Sequence, residues 1–83
     1  MRQADRILQH VVTAHFVPAW KMATPAIELR AGDLHKDMGL SDRVPAVCSV
    51  LGSERLQKLT RTRLVERRGP QQGANAVFVF SLR

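Results

Sequence analysis

The residues of this sequence that could bind a metal ion or act as a nucleophile or base are three histidines and one cysteine among 83 residues. His10 and His15 stand five positions apart, which places them off one face of an α-helix, and with His35 and no second cysteine they make no zinc ligand set. Cys48 falls on an apolar stripe with no base near it in the sequence, which favours a small core residue over a nucleophile. Paired carboxylates, a nucleophile elbow and a phosphate-cradling glycine loop are absent from the sequence. We therefore predict no enzyme, no metal site and no cofactor.

Charge is more informative than these side chains. The formal net charge is +6, and it is unevenly distributed along the chain. Residues 1–40 carry five Lys and Arg against four Asp and Glu, whereas residues 41–83 carry eight against three. Such an asymmetry indicates a polyanionic partner, of which nucleic acid is the commonest.

Length and composition are those of one small domain that spans residues 1–83. The hydrophobic share is 45% and the charged share is 24%, which are ordinary values for a globular protein. Apolar runs fall short of the roughly 20 residues of a transmembrane helix, and the N-terminus lacks the unbroken apolar stretch of a signal peptide. A single cysteine excludes an internal disulfide. We therefore expect a cytoplasmic protein without a membrane partner.

The first third of the chain predicts a helix, a connector and a short strand. Apolar residues recur at helical spacing over residues 3–16, and His15 lies on this stripe as a half-buried residue. Pro18 should end the helix, and Trp20 should fold back from the connector onto the core. Residues 27–30 alternate apolar and charged side chains, which is typical of a strand.

Two further helices joined by a turn are predicted next. Asp33 should cap the first of them, and Gly39 should end it in a left-handed conformation. Ser41 or Asp42 should cap the second helix, whose buried stripe comprises Val44, Val47, Cys48 and Leu51.

A helix break is predicted after this stripe. An unbroken helix past Gly52 would bring Arg55 onto the buried face, where an unpaired charge is costly. Ser53 should instead cap a short further helix that buries Leu56 and Leu59.

The chain ends in a predicted β-hairpin. Residues 64–68 form its first strand, the turn-forming residues 69–75 its loop, and residues 76–82 its second strand. Phe78 and Phe80 lie on one face of the second strand, and valines lie on the other. A strand that is apolar on both faces is usually central and covered on both sides. The sequence therefore predicts an α+β domain in which helices pack on a small antiparallel three-stranded sheet.

A helix-turn-helix pattern connects the two middle helices. A twenty-residue stretch that starts at Ala31 has apolar residues and a glycine at the expected positions, namely Leu34, Met38, Gly39 and Leu40. Pro45 and Cys48 stand where the pattern expects further apolar residues. Over residues 27–82 the chain resembles the winged helix-turn-helix superfamily. The resemblance implies a third helix that enters the major groove of double-stranded DNA and a hairpin, the wing, that contacts the backbone or minor groove.

The resemblance also implies which residues contact DNA. Arg43 is the one strong base-reading side chain on the third helix, because a guanidinium bonds bidentately to guanine, while Ser49 and Ser53 would contact bases or phosphates. The other basic residues suit phosphate contact, and they are Arg55, Lys58, Arg61, Arg63, Arg67 and Arg68. Contact of six cations with phosphates predicts a slope of roughly −5 in a plot of log affinity against log salt concentration.

Two alternatives stay open at this point. The basic side chains could merely solvate an outer face. The polar residues of the hairpin loop could probe a groove or be ordinary loop residues, and they are Gln71, Gln72 and Asn75. The alternative function is a protein-interaction winged helix that forms a homodimer or binds a protein partner. Its interface would combine Val50, which is predicted to point outward, with the apolar residues Val11, Val12 and Phe16 of the first helix.

Overall fold

A computed structural model describes residues 3–82 and shows an α+β fold, with short helices packed on a small antiparallel sheet. The described elements are, in chain order, α1 (Gln3–Val11), a π-helical segment (Val12–Phe16), α2 (Val17–Lys21), β1 (Ala26–Arg30), α3 (Ala31–Asp37), α4 (Val44–Leu51), α5 (Glu54–Thr60), β2 (Arg63–Arg68) and β3 (Val77–Ser81).

The strands pair in the order β1–β3–β2, and both pairings are antiparallel. β3 is the central strand, which confirms the prediction that a strand with two apolar faces is central. Phe78 and Phe80 point into the core and are fully buried, whereas Val77 and Val79 on the opposite face are only half-buried. The face of β3 that carries Val77 and Val79 is therefore only partly covered, although the sequence predicted that both faces are covered. In β2, Val65 is the extra residue of a bulge and is 55% exposed.

Phe16 and Phe80 connect the helical layer with the sheet. Both side chains are fully buried, and their rings meet edge to face with centroids 5.3 Å apart. Such an aromatic pair contributes about 0.5–1.5 kcal/mol beyond the burial of its area. The other large side chains that are fully buried around them come from the helices and from β3, and they are Ile7, Val11, Leu34, Val47, Leu51, Leu56 and Phe78.

Pro18 does not end the first helix, because α1, the π-helical segment and α2 follow one another without a break from Gln3 to Lys21. The amide of Val17 donates to the carbonyl oxygen of Val12, five residues back, which widens the turn before Pro18. Pro18 then stands in the first turn of α2, where its missing N–H costs little. The predicted helix end is therefore wrong.

The wide π-helical turn also changes which side chains are neighbours. His10 and His15 lie with their ring centroids 6.1 Å apart, so the prediction that their spacing separates them is wrong. Trp20 contacts the Phe16 ring at a centroid distance of 6.1 Å, but it stays 41% exposed. It therefore lies at the edge of the core rather than within it.

The turn between α3 and α4 contains the predicted left-handed glycine, since Gly39 has a φ of +65°. The predicted cap of α4 is wrong, because neither Ser41 nor Asp42 occupies the N-cap position. Arg43 occupies it, without a side-chain cap, and its backbone N–H donates to Nε2 of His35 at 3.1 Å. The histidine thus fastens the start of α4 to α3.

The break at Gly52 and the cap of α5 are as predicted. The Ser53 hydroxyl oxygen accepts the N–H of Leu56 at 3.3 Å, and Leu56 is fully buried. Leu59 is 59% exposed, so its predicted burial is wrong: on this short helix the buried side is formed by Leu56 and Thr60. Val50, predicted to point outward, is also buried, because α4 packs against α1 as well as α3.

Candidate nucleic-acid interface

The exposed side of α4 is narrow and carries small side chains. Burial of most of the helix between α1 and α3 leaves Pro45 and Ser49 exposed and Ala46 half-buried. Arg43 is exposed at the start of the helix. The helix therefore offers one guanidinium and one hydroxyl to a partner, on a surface that a backbone can approach closely.

A polar cleft runs between this side of α4 and the hairpin loop. Its volume is about 220 Å³, and its lining residues are Cys48, Ser49, Gly52, Arg67, Gln71 and Gln72. Ser49, Arg67 and the two glutamines are exposed, so hydrogen-bonding groups from α4 and from the hairpin face solvent side by side. These groups can donate to phosphate oxygens or to base edges.

Arg67 makes its contacts within the hairpin and lies beside the end of α4. Its guanidinium carbon lies 4.6 Å from the centroid of the Phe78 ring, and Nη2 donates to the carbonyl oxygen of Gln71 at 3.1 Å. Nη1 lies so close to Gly52 that a Cβ at that position would approach it to 3.1 Å. The cross-strand pairing of Arg67 with Phe78 places both side chains on the core face of the sheet.

Backbone hydrogen bonds dock the hairpin loop on the start of α3. The amide of Ala31 donates to Ala76 O at 2.9 Å, and the amide of Gly32 donates to Ala74 O at 2.8 Å. Gly32 must lack a side chain, because a Cβ there would lie 2.7 Å from Ala74 O. Asn75 is occupied by a hydrogen bond from Arg30. The loop is therefore held by α3 on one side and by Arg67 on the other.

Cys48 lies at the base of the cleft and is buried, as predicted. Its Sγ is 3.7 Å from the carbonyl oxygen of Gly73. Burial raises the pKa of the Cys48 thiol, and the Arg67 guanidinium offsets part of that increase. A protonated, buried thiol is a packing residue rather than a nucleophile.

Ion pairs interrupt the basic surface. Arg55 pairs with Asp5 of α1 at 2.7 Å, and Arg68 pairs with Glu28 at 2.8 Å and Glu66 at 2.6 Å. Positive charge is therefore not continuous from Arg55 to Arg68. Within residues 3–82, five of the predicted contact cations have no carboxylate partner, namely Arg43, Lys58, Arg61, Arg63 and Arg67.

The structure brings together only part of the predicted site. Arg43, Ser49 and Arg67 lie on or beside α4, whereas the half-buried Ser53 uses its hydroxyl to cap α5 and to donate to Val50 O at 2.7 Å.

The remaining predicted cations are placed elsewhere. Lys58 lies on α5, and Arg61 ends that helix with a left-handed φ of +56°. Arg63 pairs with Ser81 at the far end of β2, which places its side chain on the outer face of the sheet with that of Arg68.

The alternative protein interface is not available as predicted. Val11 and Phe16 are fully buried, and Val50 is 7% exposed, so these side chains belong to the core. Sequence reasoning also missed the stacking of Arg67 on Phe78. Pairing of the two hairpin strands would have placed Arg67 opposite Phe78. The bulge at Val65 shifts the register between Leu64 and Glu66, so the sequence alone does not give this pairing.

Comparisons with known proteins identify no relative of this chain. The chain matches no family model, no curated protein and no solved structure. Within residues 3–82, no helix has the length and apolarity to cross a membrane. No group of three or more His, Cys, Asp or Glu side chains in the same range is placed to hold a metal ion.

Proposed function

We propose that this chain is a winged helix-turn-helix domain that binds double-stranded DNA, with α4 as the recognition helix and the β2–β3 hairpin as the wing. The order helix, strand, three helices and hairpin supports this proposal, with α3 and α4 as the helix-turn-helix pair. So does the central position of β3 between β1 and β2. In this layout α5 is a short addition between the recognition helix and the wing. A reducing, cytoplasmic location accompanies the proposal, because Cys48 is a free cysteine.

The observation that carries the proposal is the cleft between α4 and the hairpin. Ser49, Gln71 and Arg67 present a hydroxyl, an amide and a guanidinium at this cleft. Arg43 adds an unpaired guanidinium at the start of the same helix. A winged helix uses these two elements to contact bases and the sugar–phosphate backbone.

The site has more groups for phosphate contact than for base reading. Arg43, at the N-cap of α4, carries a guanidinium that can bond bidentately to guanine, and the Ser49 hydroxyl can bond to any base or phosphate. Two phosphate contacts, from Arg43 and Arg67, give a log–log salt slope of about −1.8, and contacts from all five unpaired cations give about −4.5. The expected activity is therefore salt-sensitive duplex binding with modest sequence preference.

Fluorescence anisotropy with a labelled random-sequence duplex tests this function. We expect saturable binding at about 50 mM salt and a slope between about −1.8 and −4.5 as salt is raised. NMR resonances of Ser49, Arg67 and Gln71 should shift on addition of the duplex. Absence of binding at about 50 mM salt, or shifts confined to other surfaces, would contradict the proposal.

A second candidate function, self-association, is favoured by an apolar groove between α1 and α4. The groove has a volume of about 340 Å³ and includes Ala4, Leu8 and Ala46 in its lining. Leu59 lies beside it and is 59% exposed. Light scattering of the wild type, Leu59→Lys and the control Val65→Lys tests this candidate. A dimer that is lost only in Leu59→Lys supports it, and a monomer at all concentrations excludes it.

A further inference from the structure

Arg43 is fixed at the start of α4 through its backbone rather than through its side chain. Its N–H donates to Nε2 of His35 at 3.1 Å, and its carbonyl oxygen accepts the N–H of Val47 at 3.0 Å. The guanidinium is exposed and, among residues 3–82, has no hydrogen-bond or ion-pair partner. The main chain therefore determines where this side chain can reach.

The turn before Arg43 has little support of its own. Gly39 and Asp42 both have left-handed φ values, +65° and +53°. Glycine adopts this region freely, whereas aspartate adopts it at a steric cost. α4 also begins without a side-chain cap, and Pro45 in its first turn has no N–H to donate. The hydrogen bond to His35 therefore secures both the turn and the helix start.

The chemistry of His35 suits this task. A ring nitrogen accepts a hydrogen bond only when it carries no proton, so the bond requires the neutral ring with its proton on Nδ1. The ring is half-buried on α3, which packs against α4, so one imidazole spans the two helices of the helix-turn-helix pair. A leucine at this position would leave the N–H of Arg43 without its acceptor, whereas a glutamine offers an amide oxygen instead.

We propose that His35 is a positioning residue of the nucleic-acid interface and acts on the duplex only through Arg43. The inference rests on the proposed function, because it takes α4 as the recognition helix. A side chain that binds a partner must be held within about 0.5 Å of its productive geometry. Since the Arg43 side chain is anchored only by its backbone, the hydrogen bond to His35 supplies that restraint.

A double-mutant cycle on duplex binding tests this role. The affinities of His35→Leu, Arg43→Ala and the combined variant are measured by fluorescence anisotropy with the random-sequence duplex. We expect His35→Leu to lower the affinity about threefold to tenfold, which corresponds to one hydrogen bond. Arg43→Ala keeps the backbone N–H but lacks the guanidinium, so His35→Leu should have no further effect in that background. A histidine that merely stabilises the fold would lower the affinity equally in both backgrounds.

His35→Gln is the matched control, because it keeps an acceptor and should bind within about twofold of the wild type. A measurement on the free wild-type chain does not depend on the folding of any variant: NMR of the ring nitrogens at neutral pH should show Nε2 of His35 without a proton.

Four results would overturn the inference: a protonated Nε2, wild-type affinity in His35→Leu, an equal loss of affinity in both backgrounds, or a loss in His35→Gln as large as in His35→Leu. Absence of duplex binding by the wild type instead refutes the proposed function, and the inference with it.

Discussion

Arg67→Ala removes the side chain that ties the hairpin loop to its two strands and that lies beside Gly52 at the end of α4. The guanidinium donates to Gln71 O at 3.1 Å and lies 4.6 Å from the centroid of the Phe78 ring. The hydrogen bond contributes about 1 kcal/mol, and the cation–π contact at an exposed site contributes about 0.5–1 kcal/mol. We therefore expect the opening free energy of the hairpin loop to fall by about 1.5–2 kcal/mol.

Amide hydrogen exchange measures this change directly. The informative amides are those of Gly32 and Ala76, because both form backbone hydrogen bonds that hold the loop. A loss of about 1.5–2 kcal/mol makes their exchange roughly 10- to 30-fold faster. Arg63→Ala is the matched control, since it removes the same kind of side chain from the outer face of the same strand. Unchanged exchange in Arg67→Ala, or equal acceleration in Arg63→Ala, would refute the reasoning.

Three further predictions concern stability. Gly32→Ala should lower the free energy of unfolding by about 1–3 kcal/mol in urea denaturation, because the new Cβ would lie 2.7 Å from Ala74 O; an unchanged midpoint would contradict this contact. Arg61→Gly should raise the free energy of unfolding by about 1 kcal/mol, since glycine adopts the φ of +56° without strain. A loss of stability in this variant would contradict the prediction. His15 has a lowered pKa in the folded state, so the unfolded chain binds its proton first as the pH falls below about 6.5. Stability should therefore decrease with acidification below that pH, and His15→Gln should make the decrease smaller; an equal decrease in both proteins would contradict this origin.

The parts of the fold that local sequence patterns determine were predictable. Two apolar faces on residues 77–80 predicted a central strand, and β3 is central. Ser53 and Gly39 were predicted at a helix start and a helix end because a hydroxyl cap and a left-handed φ depend on few neighbours.

The features that depend on tertiary packing were not predictable in the same way. The π-helical segment lets Val11 and Phe16, five residues apart, both point into the core, where Phe16 contacts Phe80. Nothing in the local pattern demands that wide turn. Val50 is buried because α1 packs on α4, which a helical stripe read from one segment does not reveal.

The candidate site was only partly predictable for an electrostatic reason. A count of basic residues treats each cation as free, but Arg55 pairs with Asp5, fifty positions away in the chain. Arg68 likewise reaches Glu28 on β1 across the sheet. The sequence shows that positive charge is concentrated in the second half of the chain. It does not show which of these cations are neutralised by ion pairs and which have no carboxylate partner among residues 3–82.

The salt dependence of duplex binding in two double variants tests the central proposal most directly. Arg43→Ala/Arg67→Ala removes two unpaired cations at α4 and the wing, whereas Arg55→Ala/Arg68→Ala removes two cations that pair with carboxylates. We predict that the first variant makes the log–log slope shallower by about 1.8, and that the second leaves the slope unchanged. Equal changes in both variants, or no duplex binding by the wild type at about 50 mM salt, would contradict the proposal.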